Sequence, residues 1–167
     1  MHYENVDCIS KGLQLCCSNL LSSNMPYSSG VNKQFEIVDL LSEESDFYGP
    51  FNSLLFELFP TTEHYHISPQ FKRFDGSLDF TIQFIISRRR VPVFFVEIKS
   101  YRSLKELSAR ASADKQMREG FREFASGNIS TPTLYGLSAF GPQFSVYTYD
   151  PASSPVKSLV TCNTSTM

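Results

Sequence analysis

Long hydrophobic runs are what this chain most clearly lacks. No apolar stretch approaches the roughly 18 residues that a membrane-spanning helix requires, so no membrane partner is expected. The segment MHYENVDCIS carries acids and no basic run ahead of a hydrophobic stretch. That pattern argues against a secretion signal and for a cytoplasmic or nuclear location. Cysteine is sparse: Cys8, Cys16, Cys17 and Cys162 form no C-x-x-C pair and have no histidine at ligand spacing. A structural zinc site is therefore not expected, and ordinary reduced thiols are. No internal repeat is present.

What is there is enough for one domain. The 167 residues are 41% hydrophobic and 14% aromatic, a globular composition that leaves room for a single core. The net charge of −2 hides an asymmetry. Between Arg88 and Arg122 there are ten Lys or Arg and four acids, whereas the rest of the chain holds five bases and thirteen acids. A basic middle in an acidic chain fits a local polyanion site, and a solvated helix face laced with ion pairs fits it as well.

Along the chain, residues 1–47 read as an extension, partly helical: SSNMPYSSG is loop-like, and QFEIVDLLSEESDF fits a short amphipathic helix. YGPFNSLLFELFP predicts a helix with Phe51, Leu54, Leu55 and Leu58 on one side and Pro60 as its stop. HYHISPQFK predicts a first strand that Pro69 pushes toward an edge or a bulge. His64 and His66 lie two apart on it, but with no third ligand in view they read as surface histidines. The stretch DFTIQFIISRRRVPVFFVEIKS then predicts two apolar strands joined by a turn at Ser87–Arg90. SLKELSARASADKQMREGFREFASGN predicts a long helix, with a capping box of Ser103 and Glu106 and a stop at Gly127. Its inner stripe is Leu104, Ala113, Met117, Phe121 and Phe124, with Gln116 at the edge. TPTLYGLSAF and QFSVYTYD predict two more strands around a Gly-Pro turn, and residues 151–167 read as a loose tail. The expected class is α/β, a central mixed sheet flanked by helices, with its domain at residues 48–150.

The chemistry lies in the two apolar strands. Pairing them about Arg88 sets Asp79 opposite Glu97, and the period-two alternation puts Asp79, Glu97 and Lys99 on one side at one end. Two carboxylates held a strand apart make a hard-oxygen site for Mg²⁺ or Mn²⁺. A lysine two residues after the Glu reaches the same side, where it can orient or deprotonate a water and hold negative charge. A phosphodiester suits this set, and the neighbouring bases give its backbone a surface. The plainer alternative is a cross-strand salt-bridge cluster at the sheet end.

The order helix, strand, Asp-bearing strand, VEIK strand, helix, strand resembles the PD-(D/E)xK nuclease superfamily, the restriction-endonuclease-like fold with its αβββαβ core. The likeness spans residues 48–150, and LYGLSAFG is similar to small fungal members. It implies that Asp79 and Glu97 bind Mg²⁺ or Mn²⁺ with the Ile98 carbonyl. It also implies that Lys99 activates or positions water and that Gln116 positions substrate or water. Glu57 is a further candidate ligand from the first helix. The motif's Pro is replaced by Leu78, and Gly120 stands where some branches have Tyr. Arg102, Lys115, Arg118 and Arg89 are the candidate nucleic-acid contacts. The implied activity is metal-dependent hydrolysis of DNA, with RNA second, by an endo- or exonuclease whose oligomeric state is open, a dimer included. The rival expectation is a catalytically silent nucleic-acid-binding or protein-interaction module on the same fold.

Overall fold

The computed structural model describes residues 27–71, 80–84, 92–125, 133–151 and 157–162. Among these lie three α-helices and six strands. The helices are α1 (Ser29–Ile37), α2 (Tyr48–Leu58) and α3 (Leu107–Ala125). The strands are β1 (Ile67–Phe71), β2 (Phe80–Phe84), β3 (Phe94–Lys99), β4 (Leu134–Phe140), β5 (Gln143–Tyr149) and β6 (Lys157–Cys162). The expected mixed α/β class is observed.

β3 and β4 pair in parallel, and β4, β5 and β6 continue antiparallel into a mixed four-stranded sheet. β1 pairs antiparallel with β2, and β2 runs close beside β3. A parallel pair needs a long crossover, and α3 supplies it. Parallel strands covered on both faces read as unbroken apolar runs, which is why β3 can spend Phe94, Phe95, Val96 and Ile98 in succession.

Each face of β3 enters its own core. Phe94, Val96 and Ile98 meet Phe47, Phe51, Leu55 and Phe59, so α2 and the turn before it cover one side. Phe95 meets Met117, Phe121 and Tyr147 under α3 on the other. α2 follows its prediction: Phe51 and Leu55 are buried one turn apart, and Pro60 bars continuation. In α3 the buried residues Ala113, Met117, Gly120 and Phe121 recur at helical spacing.

Three expectations need correction. The long helix starts at Leu107, not at a Ser103 cap, because Tyr101–Lys105 form a separate 3-10 turn first. The short helix expected over QFEIVDLLSEESDF lies earlier, at Ser29–Ile37, and within residues 27–47 Phe47 and Val31 are buried while Phe35 packs edge-on against Phe51 at 5.1 Å. The tail is not loose throughout, since Lys157–Cys162 form β6 on β5, giving that strand's outer backbone groups partners. The predicted turn at 87–90, the Gly127 stop, Cys8, Cys16 and Cys17 lie outside the described residues.

The Gly-Pro turn is observed. Phe140 pairs with Gln143, leaving Gly141 and Pro142 as the loop, with Gly141 at φ +57. Proline cannot adopt positive φ, so a type II′ turn with glycine first is what fits. A Cβ at Gly141 would also stand 2.9 Å from that of Tyr101. The Gly141 N–H donates to the Lys99 carbonyl at 3.0 Å, tying this turn to the end of β3.

Candidate functional site

Alternation along β3 sends Phe95, Glu97 and Lys99 to the α3 side. Glu97 is only 4% exposed, an uncommon position for a carboxylate. Lys99 places its Nζ 3.3 Å from Glu97 Oε1, and both side chains are largely buried. The Val93 carbonyl accepts from Tyr135 of β4, and the Lys99 carbonyl from Gly141 directly after that strand. Since successive carbonyls point to opposite edges, that of Ile98 points away from β4, to the edge along which β2 runs.

α3 brings Gln116 over this end of the sheet. A Cβ on Gly120 would meet the Phe95 ring at 3.0 Å, and one on Gly136 would meet Met117 at 2.5 Å and Phe121 at 2.9 Å. α3 therefore lies close against β3 and β4 and, as the crossover between parallel strands, runs back along them. One helical turn covers about 5.4 Å and two strand residues about 6.6 Å. With Gly120 over Phe95, Gln116 stands at the level of Glu97; with Met117 over Gly136, Ala113 stands at the level of Ser138. Gln116 Oε1 is fully covered and has no hydrogen-bond partner among the described residues.

Sequence reading missed the residues that widen this polar strip. Ser138 is the β4 partner of Glu97 and is equally buried, and Ser145 is its partner on β5. A serine amid LYGLSAF, next to the register of EIK, was the available signal. Tyr147 reaches from β5 to Asp114 on α3 through a side-chain hydrogen bond. Asp114 accepts from Arg118 Nε at 2.8 Å and Nη2 at 3.3 Å. Burial first, then the Asp114 charge and hydrogen bond, push the Tyr147 hydroxyl up to about 12, with Glu97 adding to the rise. The same Asp114 contact raises Arg118 above its ordinary value.

The other predicted residues fall elsewhere. Glu57 is exposed and accepts from the Ser28 N–H and Oγ, each at 2.6 Å. The Ser28 hydroxyl, then its N–H, hold the Glu57 carboxyl below the usual range. Since α2 covers the face opposite Glu97, Glu57 does not join that residue; its task is to tie down the start of α1. Arg102 pairs with Glu43 at 3.2 Å and Lys115 with Glu119 at 3.8 Å, both exposed. His64 and His66 are exposed. Asp79 and Arg89 lie outside the described residues.

For a divalent cation the described residues offer the Glu97 carboxylate and the Ile98 carbonyl, hard oxygens that fit Mg²⁺ or Mn²⁺ in kind. They include no group of three His, Cys, Asp or Glu that could hold an ion unaided. No helix among them is long and apolar enough to cross a membrane. No protein-family model matches this chain, and comparison with curated proteins and solved structures gives no match.

Proposed function

We propose that this chain is a metal-dependent nuclease that hydrolyses phosphodiester bonds, with DNA as its first substrate and RNA its second. The observation that carries the reading is the Glu97–Lys99 pair: a carboxylate and an ammonium 3.3 Å apart, both largely buried, on one face at the end of a strand. Burying charge is costly, and a sheet end offers cheaper ways to finish a strand. Charges kept in such a place are functional candidates. The succession α2, β1, β2, β3, α3, β4, with a parallel β3–β4 pair, supports a restriction-endonuclease-like αβββαβ core.

In this reading Glu97, the Ile98 carbonyl and Asp79 hold Mg²⁺ or Mn²⁺. When bound, such an ion polarises a phosphoryl oxygen and acidifies water. Lys99 Nζ donates to the non-bridging oxygens as negative charge gathers on them, and its tie to Glu97 keeps it in place for that. Gln116 presents its amide to the attacking water or the phosphate. α3 excludes bulk solvent from the inner side of the pair, which strengthens each of these interactions.

A silent binding module on the same fold is the second reading. Its protein-interaction form is favoured by the way Arg102 and Lys115 each engage an acid of this chain, which partly neutralises charge that a phosphate would need. One experiment separates the two. Plasmid and single-stranded DNA are incubated with the protein in Mg²⁺, Mn²⁺ or EDTA, beside Glu97→Gln and Lys99→Ala. The nuclease reading expects cutting that needs the metal and disappears in both variants. Intact DNA in every lane would sink it.

A further inference from the structure

Tyr147 is an odd residue to find where it is. It lies on β5, paired with Gly136 of β4, and the absent side chain at Gly136 is what lets Met117 and Phe121 settle there. Its ring is in the α3 core, yet its hydroxyl leaves that core to bond Asp114 at the helix edge. A buried tyrosine must find such a partner. Asp114 binds Arg118 through both Nε and Nη2, so the guanidinium is held in a fork by a carboxylate that is itself held from below. The Arg118 side chain remains 40% exposed. An ordinary i,i+4 ion pair on a helix is loose and worth little. Here a rigid ring fixes the acid, and the acid fixes the plane of the guanidinium.

Along β5, Tyr147 stands two residues from Ser145, whose β4 partner Ser138 is in turn the partner of Glu97. Its strand is two strand spacings from β3, roughly 10 Å. Gln116 and Gly120 mark the β3 side of α3, and Asp114 and Arg118 its β5 side.

We propose that Tyr147 and Asp114 form a support that presents Arg118 as a fixed anchor for a phosphate of the nucleic-acid backbone, beside the one poised at Glu97 and Lys99. Guanidinium planes match phosphate oxygens in pairs, and an anchor already locked in orientation loses little entropy on binding. Tyr147 is thus a positioning residue that acts through Arg118. The proposal rests on the nuclease reading for the identity of the substrate, but its test does not depend on cutting.

The test is fluorescence anisotropy of a labelled oligonucleotide in EDTA across a salt series, beside Mn²⁺ kinetics. Arg118→Gln weakens binding by about tenfold, the scale of one charged hydrogen-bonding contact, and lowers the salt slope by about 1. Tyr147→Phe weakens binding comparably, and the double variant is no weaker than Arg118→Gln alone, because both act on one contact. In kinetics the loss falls on KM, with kcat near wild type. Asp114→Asn, at the helix surface, repeats the effect should Tyr147→Phe fail to fold. Wild-type binding in Tyr147→Phe or Asp114→Asn, additive losses in the double variant, or no oligonucleotide binding by the wild type would overturn the anchor. A wild type that binds with these losses yet never cuts would overturn the nuclease reading and leave the anchor standing.

Discussion

Lys99 and Glu97 sit two residues apart on one strand, and the ammonium of one lies 3.3 Å from the carboxylate of the other. Side chains two apart share a face of the strand roughly 6.6 Å apart, within reach of two long side chains. Lys99→Met leaves the Glu97 carboxylate buried without that ammonium and should destabilise the fold by about 3 kcal/mol, the lower end for a broken buried pair. Replacing both, as Glu97→Leu with Lys99→Met, should restore stability to within about 1 kcal/mol of wild type while leaving no cutting. Urea unfolding beside the plasmid assay measures both halves. A double variant that still cuts would remove the pair from the chemistry.

Tyr147 gives the protein an alkaline limit. Its hydroxyl is raised from 10.0 to about 12, chiefly by burial. A group whose folded value is raised contributes stability that is complete below its unfolded value. That contribution is lost as pH climbs from 10 toward 12. Absorbance at the phenolate band should show a late-titrating component that is missing in Tyr147→Phe, whose stability should also fall less steeply across that window.

Gly136 and Gly49 make a matched pair of tests. A methyl at Gly136 would stand within 3.0 Å of Met117, Phe121 and Phe95, whereas one at Gly49 meets nothing within 4 Å. Gly136→Ala should cost about 1–3 kcal/mol as α3 is pushed from the sheet, and should lower any cutting that needs Gln116 in place. Gly49→Ala, in the first turn of α2, should be neutral or stabilising by up to about 1 kcal/mol. Thermal melts of the two variants check the contrast.

Much of this was legible in the residues. Period-two alternation located both faces of β3, and helical spacing located the stripe of α3, because burial imposes those periods whatever the tertiary fold. The Gly-Pro dipeptide fixed a turn for the reason that governs it in the structure. What did not read out was pairing. Nothing local says that Glu97 adjoins Ser138, since a parallel partner lies a whole crossover away. Tyr147 looked like one aromatic among several in FSVYTYD, and its bond to Asp114 exists only once α3 lies on the sheet. KSLVTC hid as a tail because a short strand is recognised by its neighbour more than by its own composition.

Removal of residues 152–167 should therefore do harm. Without β6, the outer edge of β5 offers unpaired backbone groups to other copies of the chain. Such a truncation should lower the melting temperature and raise light scattering on standing. A fully stable, monodisperse product would show that β5 needs no cover.

The parallel β3–β4 pairing also bears on time. β4 and β5 are neighbours across a tight turn and can close quickly, whereas β3 meets β4 only after the 19-residue α3 has folded back between them. The Glu97–Lys99–Gln116 arrangement is thus expected to form late in folding. Substitutions in the β4–β5 turn should slow refolding, while those at Gln116 should mainly speed unfolding, a division that stopped-flow kinetics can resolve. Chains caught before that docking step would have most of their secondary structure but not the buried Glu97–Lys99 pair.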